Sequence, residues 1–177
     1  MKGVIEMEGC MSSMMGNDPV KYSEGFVKLL ADHDALREQL DELLQMVHHL
    51  ENQVEKAKVF TALTENVVVF FKALEAHSEK EETILFPMLE TFIGKNGGPI
   101  AVMEYEHEQA KGLIQAFLAK AALLLSDVEM VSHATLVKEA HSLLNSHFMK
   151  EENVLFPMGE RLFSDTEKEE LFEKLSM

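Results

Sequence analysis

The stretches HSEKEETILFPMLE (residues 77–90) and HFMKEENVLFPMGE (residues 147–160) decide the fold of this chain, because they repeat one pattern 70 positions apart. In each copy a histidine precedes a glutamate by four residues: His77 and Glu81 in the first, His147 and Glu151 in the second. At about 100° per residue, side chains four positions apart lie on one helical face, one turn apart. Each pair could therefore bind a metal ion.

A second repeated element lies upstream of each of these stretches. Asp32-His33-Asp34 is matched by Glu106-His107-Glu108, at an offset of 74 residues. Similar offsets for both elements indicate two related helical hairpins, with a small difference in length between them.

Apolar residues recur at helical spacing along almost the whole chain. Asp18-Pro19 predicts the start of helix one, a weak turn signal falls between residues 54 and 60, and helix two ends before Gly94. A third stripe closes near Ser126, a fourth follows, and Ser164 with Glu167 forms a capping box before a terminal helix.

These elements predict an all-α fold, an antiparallel up-down-up-down four-helix bundle with short connections. We assign residues 18–163 to the bundle and 164–177 to a short C-terminal helix packed on or extending it. Residues 1–17, which are rich in Met, Gly and Ser, are expected to form a flexible N-terminal arm.

Composition excludes several classes of function. The 177 residues carry 31 acidic and 16 basic side chains, a net charge of −15, which opposes binding to nucleic acid. The only cysteine is Cys10, the start shows no secretory leader pattern, and the apolar runs are far too short to span a bilayer. We expect a soluble, cytoplasmic protein without a membrane partner, and the sequence indicates no particular protein partner.

The histidines of the repeats are predicted to face the core. His33 falls on the apolar stripe between Leu29 and Leu36, and His107 occupies the matching place in the third helix. The pairs at 77/81 and 147/151 continue the apolar stripes of helices two and four. The candidate metal ligands are therefore His33, His77, Glu81, His107, His147 and Glu151.

A single core histidine is more often a hydrogen-bonded structural group than a ligand, so a metal-free bundle with satisfied polar core groups is one hypothesis. Two buried carboxylates without cations, however, cost several kcal/mol each or hold protons at raised pKa. Two divalent ions would balance them. Imidazole and carboxylate ligands suit iron or manganese and also accept zinc, whereas a thiolate zinc site is excluded by the single cysteine. If both glutamates bridge, a solvent bridge and an open position remain.

The residues resemble the hemerythrin-like HHE cation-binding proteins over roughly residues 20–163. The order His, His-x-x-x-Glu, His, His-x-x-x-Glu, with Leu-Phe-Pro after each His-Glu pair, carries the resemblance. The resemblance implies a non-heme di-iron centre with an oxo or hydroxo bridge. In such a centre His33, His77, His107 and His147 would be terminal ligands, with Glu81 and Glu151 as bridges.

The chain departs from the oxygen-carrying hemerythrins at two places. Lys111 stands where they have a fifth histidine, and the last helix has His147 and Glu151 in place of a His-x-x-x-x-Asp pattern. The ligand set looks more like that of iron-sulfur-cluster repair proteins and of F-box iron-sensing domains. The paired cysteines of the repair proteins are missing, with only Cys10 near the start.

The resemblance leaves two functions open beside the metal-free bundle. One is a metal-binding protein whose centre takes O2 or NO and serves in oxygen or redox sensing or in iron handling. The other is a di-iron enzyme that reduces peroxide or oxygen, or an iron donor in cluster repair. We expect the reduced centre to oxidise readily in air and to bind NO when reduced, instead of carrying oxygen reversibly.

The remaining polar residues near the motifs are given lesser roles. Glu82 and Glu152 lie five positions after their histidines, about 140° round the helix, which predicts solvated or supporting acids. Tyr105 is expected to face away from the site. The histidines outside the repeat are expected to be surface or packing residues, with His48 close enough to the His33 line to approach the site: His48, His49, His133 and His141.

Overall fold

The computed structural model describes residues 20–95 and 98–177, and helices dominate this part of the chain. The α-helices are α1 (Glu24–Asn52), α2 (Lys56–Lys80), α3 (Phe86–Ile93), α4 (Pro99–Ala121), α5 (Asp127–Lys150), α6 (Phe156–Leu162) and α7 (Asp165–Lys174). Two π-helical segments, Glu81–Leu85 and Glu151–Leu155, join α2 to α3 and α5 to α6. The described residues contain no strand, so the all-α prediction is confirmed. None of the described helices is both long and apolar enough to cross a bilayer.

Four long rods make up the bundle: α1, α2 continued by α3, α4, and α5 continued by α6. The rod of α1 packs against those of α2 and α5, and α4 packs against the same two. Sequence neighbours are thus spatial neighbours, which is the up-down-up-down arrangement expected from the short connections.

Helix α1 begins later than predicted. Asp18 and Pro19 lie outside the described residues, but residues 20–23 are not helical and the helix begins at Glu24. Ser23 occupies the N-cap, and its backbone N–H and hydroxyl both donate to Glu160 Oε2, at 2.8 and 2.9 Å. A carboxylate from α6 therefore fixes the start of α1, a long-range contact that a local cap signal cannot indicate.

The other connections agree closely with the sequence. The first turn is residues 53–55, at the start of the predicted range, where Lys56 Nζ donates to the carbonyls of Leu50, Glu51 and Gln53. The capping box of Ser164 and Glu167 is present at the start of α7. Helix α7 packs on α1, where the Leu171 side chain lies against Gly25. The predicted arm at residues 1–17 falls outside the described residues.

The π-helical segments interrupt two helices that the sequence predicts as continuous. The Phe86 N–H donates to the Glu81 carbonyl, a π-type bond five residues back. Pro87 and Pro157 follow the two segments at equivalent places, and a proline inside a helix removes one backbone bond and crowds the preceding turn. The wider turn accommodates that proline. It also places the first and last residues of each segment on the buried side, where each is at most 1% exposed: Glu81, Leu85, Glu151 and Leu155.

The apolar core is divided into two clusters along the bundle. One is centred on Leu36, Phe70 and Phe117, the other on Phe26, Phe86 and Phe156. Along each rod the candidate ligands fall between residues of the first cluster and residues of the second. The polar site is therefore a layer closed by apolar packing on both sides.

Candidate metal centre

The six candidate ligands converge in the layer between the two core clusters. The rod of α1 supplies His33, and α4 supplies His107. The last turns of α2 and α5 carry His77 and His147, and each π segment begins with a glutamate. Each of the six side chains is at most 2% exposed. Placing the glutamates at the first position of a π turn aims them into the layer, in keeping with the frequent use of such turns at functional sites.

The Nε2 atoms of the histidines and the glutamate oxygens lie within a few ångströms of one another. The Nε2 atoms of His33 and His77 are 3.0 Å apart. Glu81 Oε2 lies 3.3 Å from His77 Nε2 and 3.4 Å from His107 Nε2. Glu151 Oε2 lies 3.2 Å from Nε2 of both His33 and His147.

These atoms form two overlapping groups that could each hold a cation. One contains His33, His77, Glu81 and Glu151, the other His107, His147 and the same two glutamates, with all ligand atoms of a group within 4.8 Å of one another. Each group has two histidines of its own, and both glutamates belong to both groups. This is the arrangement of two adjacent metal positions with shared carboxylates.

The site leaves buried polar atoms without partners. Among the described residues, no hydrogen-bond partner is found for seven buried atoms of these side chains: His77 Nδ1, His107 Nε2, His147 Nε2 and both oxygens of Glu81 and of Glu151. Because an unpaired buried polar atom is costly, such a concentration calls for a bound group. Nitrogen and carboxylate oxygen donors fit a divalent transition metal.

A second layer of carboxylates contacts the outer ring nitrogen, Nδ1, of every histidine in the site. His33 Nδ1 lies 2.9 Å from Glu152, and His107 Nδ1 lies 2.8 Å from Glu82. The other two contacts are 3.2 Å, from His147 to Glu106, and 3.6 Å, from His77 to Asp32. A carboxylate at Nδ1 fixes the tautomer with the proton on that nitrogen, so that Nε2 is free to bind a metal.

Each of these outer carboxylates is paired with a cation. The pairs are Arg37 with Glu152 (2.7 Å), Lys80 with Asp32 (2.7 Å), Lys111 with Glu82 (3.1 Å) and Lys150 with Glu106. Four negative charges are thus matched by four positive charges around the histidines. Among the described residues, the two inner glutamates have no such partner and present their charge to the centre of the site.

The outer layer follows the repeat of the sequence. Asp32 and Glu106 each precede a histidine by one residue, and Glu82 and Glu152 each follow an inner glutamate by one. The prediction of supporting acids for Glu82 and Glu152 agrees with their contacts, whereas the sequence pattern assigned no role to Asp32 and Glu106. The repeat offsets of 74 and 70 residues also relate the cations, Arg37 to Lys111 and Lys80 to Lys150. These offsets are the sequence signal from which the outer ion pairs could have been predicted.

Aromatic rings form the walls of the site. Phe156 stacks on His33 with centroids 5.2 Å apart, and Phe86 stacks on His107 at 5.9 Å. Both phenylalanines come from the Leu-Phe-Pro motif, which therefore packs directly against the histidine of the other hairpin. Phe148 adds a second ring 4.4 Å from His33, where the equivalent residue of the first repeat is the smaller Ser78.

Burial and the surrounding charges shift the pKa of several groups in the site. Burial lowers the pKa of His33, but the nearby carboxylates of Glu151, Glu152 and Glu81 raise it to about 11. Burial raises the pKa of Glu81, yet the charges of the surrounding histidines hold that pKa well below its usual range. The pKa of Glu152 falls to about 2, because hydrogen bonds from His33 and Arg37 outweigh its burial. A cation binding at Nε2 therefore displaces protons.

The other polar residues named from the sequence lie away from the ligand layer. Tyr105 is exposed, as expected. His48 is also exposed, 15 residues beyond His33 on the same helix, so the suggestion that it approaches the site is wrong. His141 pairs with Asp41 at 2.9 Å on the bundle surface. Lys111 contacts Glu82 and not an inner ligand.

Fold and site together define a four-helix bundle that presents histidines and shared glutamates from two repeated hairpins. The sequence profile of the Hemerythrin HHE cation binding domain matches residues 25–159. The chain belongs to this family.

Its curated relatives include proteins named iron-sulfur cluster repair protein YtfE. Those of Salmonella schwarzengrund (strain CVM19633) and of Escherichia coli (strain K12 / DH10B) are each 34% identical to this chain over 131 residues. The match covers 71% of this chain and 60% of each relative, so the chain spans less than two thirds of their length. No solved structure matches the chain.

Proposed function

We propose that this chain is a di-iron protein whose centre binds or reacts with O2 or NO. His33 and His77 would hold one iron, and His107 and His147 the other. Glu81 and Glu151 would bridge both ions, with an oxo or hydroxo group as a further bridge. The observation that carries the proposal is the pair of overlapping ligand groups that share both glutamates.

The donor set fits iron, and manganese or zinc could substitute. Imidazole nitrogens and carboxylate oxygens serve all three metals, and affinity order alone does not select iron. The family match and the cluster-repair relatives favour iron. Bound there, the iron pair would supply redox chemistry and an open position for a diatomic ligand.

The protein's own residues would orient the ligands and exclude water. The carboxylates at Nδ1 keep the proton on the outer nitrogen of His33, His107 and His147, so that Nε2 faces inward. The two apolar clusters and the stacked phenylalanines separate the layer from solvent along the bundle axis. Lys111, paired with Glu82, adds no ligand, so the protein donors leave a position free.

Metal stoichiometry tests the shared glutamates. Glu81→Gln and Glu151→Gln preserve size but remove a charge, so each should lose metal from both positions, whereas His33→Ala should affect mainly one. The measurement is iron per chain after anaerobic reconstitution, with His141→Ala as a surface-histidine control. Two irons per chain in both glutamine variants would refute the bridging assignment.

Reaction with gas separates a reactive centre from an oxygen carrier. The reduced iron protein should oxidise rapidly in air, and under NO it should give a new absorption band and electron paramagnetic resonance signal. An oxygenated form that persists and releases oxygen under vacuum would support a carrier and contradict the proposal.

Iron handling in cluster repair is a second candidate, favoured by the name of the relatives. Restoration of activity to a nitric-oxide-damaged iron-sulfur enzyme by the iron-loaded protein would support it. Because the chain spans 60% of these relatives, their whole activity need not reside in this bundle. Peroxide turnover without any restoration of clusters would instead favour an enzyme.

A further inference from the structure

A pocket of about 230 Å³ between α1 and α2 reaches one of the ligands directly. Its inner wall includes His77, its rim includes the ion pair of Asp32 and Lys80, and small side chains such as Ala73 line its side. At about 30 Å³ for each molecule of liquid water, the pocket has room for several waters. A cavity on this face of the bundle therefore borders one histidine of the centre.

His77 is the least firmly held of the four histidines. Its Nδ1 lies 3.6 Å from the Asp32 carboxylate and has no hydrogen-bond partner among the described residues, although the residue is only 2% exposed. The corresponding contacts of the other three histidines measure 2.8 to 3.2 Å. His33, which shares the same metal position, is enclosed by Phe148 and Phe156. Of the two histidines in this half of the site, His77 therefore has the weaker outer contact.

The second hairpin carries larger apolar side chains at two of the equivalent positions. Leu143 stands at the position of Ala73, and Leu113 stands at the position of Gln39, which also lines the pocket. Both leucines pack against the apolar core. The repeat thus supplies an internal comparison: at these two positions the α1–α2 face carries an alanine and a glutamine where the α4–α5 face carries leucines, whereas Leu36 of the pocket is matched by Ala110.

We infer that divalent iron enters and leaves the centre through the α1–α2 face, and that the position of His33 and His77 is the one that exchanges. The inference rests on the di-iron function proposed above. His77 turns its ring into the pocket, so that Nε2 leaves the iron. The Asp32 carboxylate, at the rim, is the next ligand that the iron meets.

The ion pair of Asp32 and Lys80 also lines a second pocket, next to the first. This second pocket has a volume of about 190 Å³, is lined by Lys28, Leu29 and Leu175, and shares Asp32 and Lys80 with the first. Lys80 neutralises Asp32 at rest, at 2.7 Å, and must move aside when the carboxylate accepts a cation. Exchange is therefore controlled by a local movement of two side chains, without opening of the bundle.

Release of iron(II) into an excess of a coloured chelator tests the inference. Anaerobically loaded protein should release its two irons in two phases of equal size. Ala73→Leu, which copies Leu143, should slow the fast phase about tenfold by restricting the movement of His77. Gln39→Leu, which copies Leu113, is the second variant if the first is poorly folded. A crystal structure after the fast phase should retain anomalous iron scattering only beside His107 and His147.

The matched control is Leu143→Ala, which enlarges the other face and should leave the fast phase unchanged. Iron content before chelation distinguishes failure of the function from failure of the route. Fewer than two irons per chain would overturn the di-iron function and this route together. Two irons released in a single phase, rates unaltered in both filling variants, or iron retained beside His33 would overturn the route alone.

Discussion

Three of the four histidines of the centre make a hydrogen bond at the outer nitrogen, and the fourth, His77, has a carboxylate 3.6 Å from it. For His107 the outer partner is Glu82, at 2.8 Å, and Lys111 lies 3.1 Å from the same carboxylate oxygen. Such support orients a ligand before metal arrives and raises its basicity. Glu82, which follows Glu81 in the sequence, therefore supports the centre by its contact with His107 on α4.

Glu82→Gln should weaken metal binding by about 10- to 100-fold, the usual effect of losing a supporting carboxylate. The amide keeps the size of the side chain but not its charge, so His107 loses basicity. Competition with a chelator of known affinity measures the change. Glu79→Gln, an exposed glutamate on the same rod, is the control and should bind as the unaltered protein does. Equal affinities in the two variants would contradict the supporting role.

Gly159→Ala should destabilise the bundle by about 1–3 kcal/mol, because a Cβ there would lie 2.5 Å from Cζ of the fully buried Phe26. Gly112→Ala is the matched control: no atom lies within 4 Å of the place its methyl group would take, and in a helix interior the change should stabilise by about 0.5–1 kcal/mol. Urea unfolding measures both. Shifts of the same sign would refute the packing argument.

The helices themselves follow from the sequence where their causes are local. Apolar spacing predicts the rods, and the capping box at Ser164 predicts the start of α7. The start of α1 is missed because Glu160, from the far end of the chain, caps it. The π segments are missed because, over five residues, the spacing of apolar side chains does not distinguish a π turn from an α turn. Only the prolines that follow indicate a wider turn.

Deletion of Thr83 tests the π turn before α3. Removing this exposed residue would convert the segment to an α turn, in which the Phe86 N–H bonds the Glu81 carbonyl four residues back instead of five. Helix α3 would then keep its direction relative to α2, while the turn that carries Glu81 and Glu82 would become narrower. Phe86 and Leu89, both fully buried, would stay in the core, so we expect cooperative unfolding to be kept. Metal binding should weaken, because the narrower turn no longer aims Glu81 into the layer. Thr83→Ala, which keeps the length, should bind metal and change the unfolding free energy by no more than about 0.5 kcal/mol. A deletion variant that still binds two metals would show the extra residue to be dispensable.

Removing metal should lower the stability of the whole bundle. Metal that binds only the folded state adds about 2.7 kcal/mol at a free concentration of 100 times Kd. The unpaired atoms of Glu81 and Glu151 remain buried when it leaves. Thermal unfolding with and without chelator measures the difference. The double variant Glu81→Gln/Glu151→Gln should unfold at one temperature in both conditions, and an unchanged Tm for the unaltered protein would contradict metal-linked stability.

The six inner residues could be chosen from sequence because the repeat presents them twice, on apolar stripes that fix their direction. The outer layer is harder to predict. Asp32 and Lys80 meet only when α1 packs on α2, and Arg37 reaches Glu152 only when α1 packs on α5. Long flexible side chains leave their partners undetermined until neighbouring helices are placed.

The repeat of two hairpins within one polypeptide has a genetic consequence. In a centre assembled from two identical chains, every codon change would appear on both sides at once. Here one codon alters one side alone. The first repeat can therefore have Ser78 where the second has Phe148, and Ala73 where the second has Leu143. A duplicated gene segment can thus acquire different side chains on its two flanks while its six candidate ligands stay in register.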